Sequence, residues 1–242
     1  MSIVHLSDLH VGAGDNLKMT KRLVAHIVET HDPAISAVAI TGDLVETPHA
    51  GLFGQLTKAL EPLRDAGFTV FIVPGNHDLF PRGLDLGRLT SASILWRSLV
   101  RRFCPPSEQQ GMMVWRWHGV QVIGLDTMDG SGDDWEVDLA QGCVGAHQLA
   151  QLTAIMEVGA VVLGHHRVWW DDLAHRLEDA NKLHDVLDPR AGMYLCGHQH
   201  EAHTTKRGDV VYIAAPRSTE LRSRQLRYQL IAMDGSASWC YA

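Results

Sequence analysis

No run of apolar residues in this 242-residue chain approaches the length that a membrane-spanning helix requires, and the first residues, MSIVHLSDLH, lack the basic stretch and apolar segment of a secretory leader. A cytoplasmic location without a membrane partner is expected. Cysteine is scarce: Cys104, Cys143, Cys196 and Cys240 are scattered with no CxxC pair, which argues against a disulfide scaffold or zinc knuckle and for reduced thiols used in packing. An excess of basic residues is also missing. With a net charge of −7 the chain has no global positive field for holding nucleic acid, so long polyanions are disfavoured as partners. There is no repeat, low-complexity tract or linker, and a composition 45% hydrophobic and 20% charged is that of an ordinary globular protein. A single domain over residues 1–242 is expected.

Short apolar runs recur at Ser2–Leu6, Ala37–Ile40, Thr69–Val73, Val120–Leu125, Ala160–Leu163, Met193–Cys196 and Val210–Ala214. Each is too short for a helix and is bounded by Gly, Asp, Pro or His, so each reads as a buried strand. Helical spacing appears over Leu17–Thr30, where Asp15 or Asn16 can cap, and over Leu52–Ala66, where Gly67 can end the helix. Further helices are expected at Ser91–Arg102, Ala146–Glu157 and near Asp172–Val186. His118-Gly119 reads as the turn of a hairpin, and Leu226–Met233 and Ala237–Tyr241 as two last strands. Strands alternating with helices imply α/β architecture with a largely parallel sheet.

Histidine is the plentiful residue, with 15 in all, and its placement carries the chemistry. Five polar clusters follow the strand-like runs: Asp8-Leu9-His10, Gly42-Asp43, Gly75-Asn76-His77-Asp78, Gly164-His165-His166 and Gly197-His198-Gln199-His200. In open α/β sheets the carboxyl ends of the strands share one edge, where ligands bind, so these clusters should converge. Carboxylates, an amide and imidazoles without a thiolate suit Mn, Fe, Zn, Co or Ni. Asp8, His10, Asp43, Asn76, His165, His198 and His200 are too many for one ion and fit two ions sharing a carboxylate, the usual device for phosphate ester hydrolysis.

The ordered series DLH, GD, GNHD, GHH and GHQH resembles the calcineurin-like metallophosphoesterase superfamily over residues 3 to about 234. The resemblance implies a four-layer αββα sandwich, two mixed β-sheets flanked by helices, with the metal site at the C-terminal ends of the strands. It implies that Asp8, His10 and His200 hold one ion, that Asn76, His165 and His198 hold the other, and that Asp43 bridges. His77 would act as the catalytic histidine, and Asp78 would orient it by a hydrogen bond. The segments Leu125-Asp126-Thr127, Gly142, Gln148-Leu149 and Ala215-Pro216-Arg217-Ser218 resemble small bacterial members similar to cyclic-nucleotide phosphodiesterases.

Where many members have prolines after the paired histidines, this chain has Arg167-Val168-Trp169-Trp170. His166 and Arg167 are therefore candidate substrate contacts, and the span 167–190 has room for a small cap. Trp169 and Trp170 read as packing residues, and Arg217, Arg222, Arg224 and Arg227 as a solvated face alternating with leucines. The expected activity is binuclear-metal hydrolysis of a small phosphodiester such as a cyclic nucleotide. The alternatives are a phosphomonoesterase or protein phosphatase, then a nuclease, then a non-catalytic metal-binding scaffold, and composition leaves the oligomeric state open.

Overall fold

The computed structural model describes residues 1–80, 86–129, 141–169, 176–219 and 226–242, with side chains in the fourth helix described from residue 91 onward. The chain runs β1 (Ser2–Leu6), α1 (Asn16–Thr30), β2 (Ser36–Thr41), α2 (Ala50–Asp65), β3 (Thr69–Val73), α3 (Asn76–Leu79), α4 (Leu86–Phe103), β4 (Met113–Trp117) and β5 (Val120–Gly124). It continues α5 (Ala146–Ile155), β6 (Ala160–Leu163), α6 (Ala180–Leu187), β7 (Ala191–Cys196), β8 (His203–Arg207), β9 (Val210–Ala214), β10 (Arg227–Ala232) and β11 (Ala237–Tyr241).

Two mixed sheets form, one ordered β11-β10-β1-β2-β3 and the other β4-β5-β6-β7-β9-β8. In the first, β1, β2 and β3 are parallel while β10 and β11 add antiparallel. In the second, β5, β6, β7 and β9 are parallel, and β4 and β8 close the two edges antiparallel. The parallel strands are mostly apolar and almost wholly buried because both of their faces are covered. Val161, Leu163, Met193 and Leu195 point into the cluster shared with the first sheet, whereas Val162, Tyr194 and Cys196 join Leu149, Leu152, Leu183 and Leu187 of α5 and α6. Leu23, Val24 and Ile27 of α1 and Leu56 and Leu60 of α2 cover the first sheet, so helices flank a pair of sheets. Phe71 of β3 and Trp115 of β4 meet at 5.3 Å between ring centroids and pin the two sheets together.

The hairpin β4–β5 turns at His118 and Gly119, both at positive φ (48° and 85°), the backbone that a two-residue turn of this hand requires. Gly67 ends α2 at φ 88°. Asp15 precedes α1 without making a side-chain capping bond, and the Asn16 amide instead donates to the His10 carbonyl. The helix expected near 172–186 begins at Ala180 as far as the described residues show, because Arg167 and Arg176 pair in a β-bridge upstream of it. Strand β8 carries no apolar signal, since its residues HTTKR lie at an edge and are almost all exposed. Within 167–190, Val168, Leu177, Leu183 and Leu187 pack into the second core, and Trp170 lies outside the described residues. No helix among the described residues is long and apolar enough to cross a membrane.

Under the strand ends of the first sheet, His5 is fully buried between Gln229 Oε1 (3.2 Å) and Thr41 Oγ1 (2.9 Å). Burial holds its pKa down, from 6.5 to about 4. In that interval the unfolded chain binds a proton that the folded chain does not, so this stabilisation is complete above pH 6.5 and is lost as pH falls towards about 4. Between pH 7 and 4.5 the wild type should lose about 2 kcal/mol more unfolding free energy than His5→Gln, read from urea midpoints. Parallel losses in the two proteins would contradict this account of His5.

Candidate metal centre

All five histidine- and aspartate-bearing clusters leave the C-terminal ends of β1, β2, β3, β6 and β7. The loops interlock through the main chain: Asp8 N–H donates to the Gly42 carbonyl (3.1 Å), His10 N–H to the Asp43 carbonyl (2.9 Å) and Gly197 N–H to the His165 carbonyl (3.0 Å). Six described non-glycine residues have positive φ, and five of them are Asp8, His10, Asp43, His198 and His200. Each such conformation costs about 1–3 kcal/mol and persists only where its surroundings impose it. Close packing of the loops also needs glycine, because a Cβ at Gly75 would overlap Asp43 Oδ1 and one at Gly197 would overlap Ser7 Oγ.

Two donor sets result. In one, His200 Nε2 lies 3.4 Å and His10 Nε2 3.9 Å from Asp8 Oδ1, with the two imidazole nitrogens 3.2 Å apart. In the other, His165 Nε2 lies 3.2 Å from both Asn76 Oδ1 and His198 Nδ1. Asp43 stands between them, with Oδ2 3.6 Å from His10 Nε2 and Oδ1 3.4 Å from His165 Nε2. Imidazole nitrogens facing each other cannot all donate protons, and Asp8 Oδ1 is buried with no hydrogen-bond partner among the described residues. A cation in each set would satisfy these atoms, so the residues fit a pair of metal ions.

The buried carboxylates and imidazoles of the site shift one another's protonation. Burial alone would raise the pKa of Asp43, yet His165 and His10 hold it well below the usual carboxylate range. Burial likewise opposes ionisation of Asp8, and His200 and His165 draw it down to about 2. His165 is pushed up to about 9 because Asp43 and Asp8 outweigh its burial. Positive charge is wanted here, and a metal ion supplies it without protonating the ligands.

Outer partners fix the rings. His165 Nδ1 donates to the Thr41 carbonyl (2.7 Å), which sets its tautomer. Glu46, which the sequence reading did not single out, serves two histidines. Its carboxylate lies 3.1 Å from His10 Nδ1, off the line of a ring hydrogen bond, and its carbonyl accepts from His77 Nδ1 at 2.9 Å.

Asp78 does not orient His77 as expected. Its Oδ1 accepts the Leu44 and Val45 amides (2.9 and 3.1 Å) and its Oδ2 the Gly75 amide (2.9 Å), so it ties the Asp43 loop to the Asn76–His77 turn. Burial and the neighbouring Asp43 charge raise its pKa to about 8. His166 and Arg167 are buried, as the ligand positions Asp8, His10, Asp43 and His165 are, and His166 offers a ring nitrogen within 4.8 Å of ligand atoms of His165 and His198. His166 Nδ1 meets Thr127 Oγ1 at 2.7 Å and its ring lies 4.3 Å from that of His198, while Gln148 braces the Thr127 segment through the Asp126 main chain. The Arg167 guanidinium donates to the Glu201 carbonyl and so braces the His198–His200 loop. Trp169 packs on His184 and beneath Arg207, as a packing residue should.

A family model described as calcineurin-like phosphoesterase matches residues 1–202. No curated protein is matched by the chain. Among solved structures it is similar to a dimetal phosphatase from Danio rerio, with a TM-score of 0.67 and 12% identity over 100% of this chain and 95% of that one. It is also similar to the phosphopantetheinyl hydrolase PptH from Mycobacterium tuberculosis, with a TM-score of 0.60 and 16% identity over 92% of each chain. The purple acid phosphatase PPD1 from yellow lupin gives a TM-score of 0.60 at 12% identity over 100% of this chain and 51% of that one. At such identities the likeness is one of fold.

Proposed function

Because the chain belongs to the calcineurin-like phosphoesterase family, a family built on dimetal centres, we propose that it is a metal-dependent hydrolase of phosphoesters acting through the seven ligand positions named above. The observation that carries this reading is the meeting of two donor sets on the two oxygens of a single carboxylate, Asp43. Asp8, His10 and His200 would hold one ion, Asn76, His165 and His198 the other, with Mn, Fe, Zn, Co or Ni suited to these donors. A pair of ions held by these residues would supply water activation near neutral pH and would offset charge on the phosphoryl oxygens.

The chain's own residues do the rest. Asp43 accepts the His77 amide at 3.0 Å, which locks the histidine-bearing turn to the bridging position. Since His77 Nδ1 donates to the Glu46 carbonyl, the proton delivered to the leaving oxygen comes from Nε2. Asp78 is a positioning residue for this turn. A single domain and a cytoplasmic place of action belong to the same proposal. The motif resemblance favours a small phosphodiester such as a cyclic nucleotide, with a phosphomonoester as the second substrate class.

The test is reconstitution. Protein stripped by a chelator and then loaded with Mn should bind two ions per chain and hydrolyse p-nitrophenyl phosphate or bis-p-nitrophenyl phosphate. Loaded protein that binds no ions, or that hydrolyses neither ester above the stripped protein, would return the chain to the non-catalytic scaffold reading.

A further inference from the structure

Two features border the donor sets without belonging to them: the residues that follow β9 and the second of the paired histidines. Arg217 N–H donates to the His200 carbonyl (3.3 Å), Ser218 N–H to the Ser7 carbonyl (3.0 Å) and Thr219 Oγ1 to the Leu9 carbonyl (2.8 Å), so residues 217–219 tie the loops of the first set together. Arg222 and Arg224, grouped with Arg217 in the sequence, lie outside the described residues. On the other flank stands His166, and there a side chain reaches the ligand atoms.

His166 leaves the end of β6 directly after the ligand position His165 and is fully buried. Its ring centroid lies 4.3 Å from that of His198 and 5.0 Å from that of His165. One nitrogen of each of the three rings falls within 4.8 Å of the others. Donor atoms around a single ion at about 2.1 Å are roughly 3–4 Å apart, so a shift of under about an ångström brings the three onto one ion. The ring is also held as a ligand is held. His166 Nδ1 meets Thr127 Oγ1 at 2.7 Å, as His165 Nδ1 meets the Thr41 carbonyl at 2.7 Å, and an outer acceptor on one nitrogen fixes the tautomer that presents the other to a metal. The Thr127 segment is fixed in turn, because the Cys143 N–H donates to the Thr127 carbonyl (2.7 Å) and Gln148 clamps the Asp126 main chain. Gly142 makes room for the ring, since a Cβ there would lie 2.5 Å from His166 Nδ1.

We propose that His166 is an additional ligand of the second ion, beside Asn76, His165 and His198, and that it makes this position selective for a nitrogen-preferring metal. The inference rests on the two-ion reading and specifies the class of metal that the second position takes. With His166 included, the second ion meets three imidazoles, an amide oxygen and the bridging Asp43, whereas the first meets two imidazoles, Asp8 and Asp43. Imidazole suits Zn, Co, Ni and Fe, while oxygen donors suit Mn, so the two positions differ in kind. The first tolerates Mn, and the second prefers Zn or its neighbours in the series.

The experiment compares wild type with His166→Phe, which keeps a ring against His198 and removes the nitrogens. Both proteins, stripped by a chelator, are titrated with Zn and separately with Mn, and the two binding steps are read by calorimetry and elemental analysis. Losing an outer partner of a ligand costs about 10–100-fold in affinity, so losing a ligand should weaken binding of the second Zn by about 100-fold. Mn should lose about tenfold or less at the same position, and the first ion should bind with little change. The wild type gives a direct readout that needs no variant. In protein labelled with heavy nitrogen at histidine and loaded with an NMR-active cadmium isotope, ring nitrogens of His10, His165, His198 and His200 should couple to the metal, and His166 should add one more. A wild-type spectrum without that additional coupled ring would overturn the assignment, as would a second-ion Zn affinity in His166→Phe within about threefold of wild type. Protein that takes up no ion would end the two-ion reading and this inference with it. Protein that takes up two ions yet hydrolyses neither ester would end the phosphoesterase reading alone, since the coupling is read without turnover.

Discussion

Asp43→Asn should lose at least one metal ion per chain and about a thousandfold or more in turnover, because one side chain joins both halves of the site. Its oxygens lie 3.6 Å from His10 Nε2 and 3.4 Å from His165 Nε2, and Oδ1 also accepts the His77 amide. Asparagine has nearly the same shape but only one acceptor oxygen and no charge. One donor set then faces an amide N–H, and the surrounding imidazoles lose the anion that offsets their burial. Metal content by elemental analysis, measured beside turnover, separates this from unfolding. Two ions retained with turnover within tenfold of wild type would remove Asp43 from the bridging position.

For His77→Asn the expected loss is in proton transfer, about 10²–10⁴-fold in kcat for an ester with a poor leaving group such as phenyl phosphate. With p-nitrophenolate, which departs without a proton, the loss should be far smaller. Metal should be retained, since the amide of residue 77 still reaches Asp43. The Glu46 carbonyl that now accepts from His77 Nδ1 is left to an asparagine amide or water, so the fold is not strained. Equal losses on the two leaving groups would assign His77 to phosphate binding and not to proton delivery.

These effects differ in how far the sequence foretold them. Asp8, His10, Asp43, Asn76, His165, His198 and His200 were legible because short apolar runs ended in metal-binding residue types, and strand ends in an α/β sheet share an edge. The structure brings all seven together. The outer contacts were not legible. Asp78 was assigned to His77 because the two are adjacent in sequence, yet a carboxylate on the first turn of α3 points at the amides of Leu44, Val45 and Gly75. Glu46 went unnoticed because half of its role is played by a main-chain carbonyl, and main-chain atoms have no sequence signature. The surroundings of His166 and Arg167 were not legible either, since Thr127 and the Glu201 carbonyl, which they meet, are distant in sequence.

By itself, then, the sequence determined the alternation of strands and helices, the α/β class, and the chemical character of the site, because periodicity and residue type are local properties; the two-sheet arrangement came only from the family resemblance. Tertiary structure decided what depends on which loop lies against which. It put five of the candidate ligand residues into left-handed backbone conformations that their own preferences disfavour, held there by hydrogen bonds between loops far apart in sequence. It also carried Arg217, 174 residues beyond Asp43 (217 − 43), out of an apparently solvated run to the rim of the metal centre, through bonds to His200 on one side and to Ser7 and Leu9 through its neighbours on the other. No local pattern encodes that placement, because β9 and β10 belong to different sheets, and residues 217–219, which follow β9, bond to the loops that carry Asp8, His10 and His200.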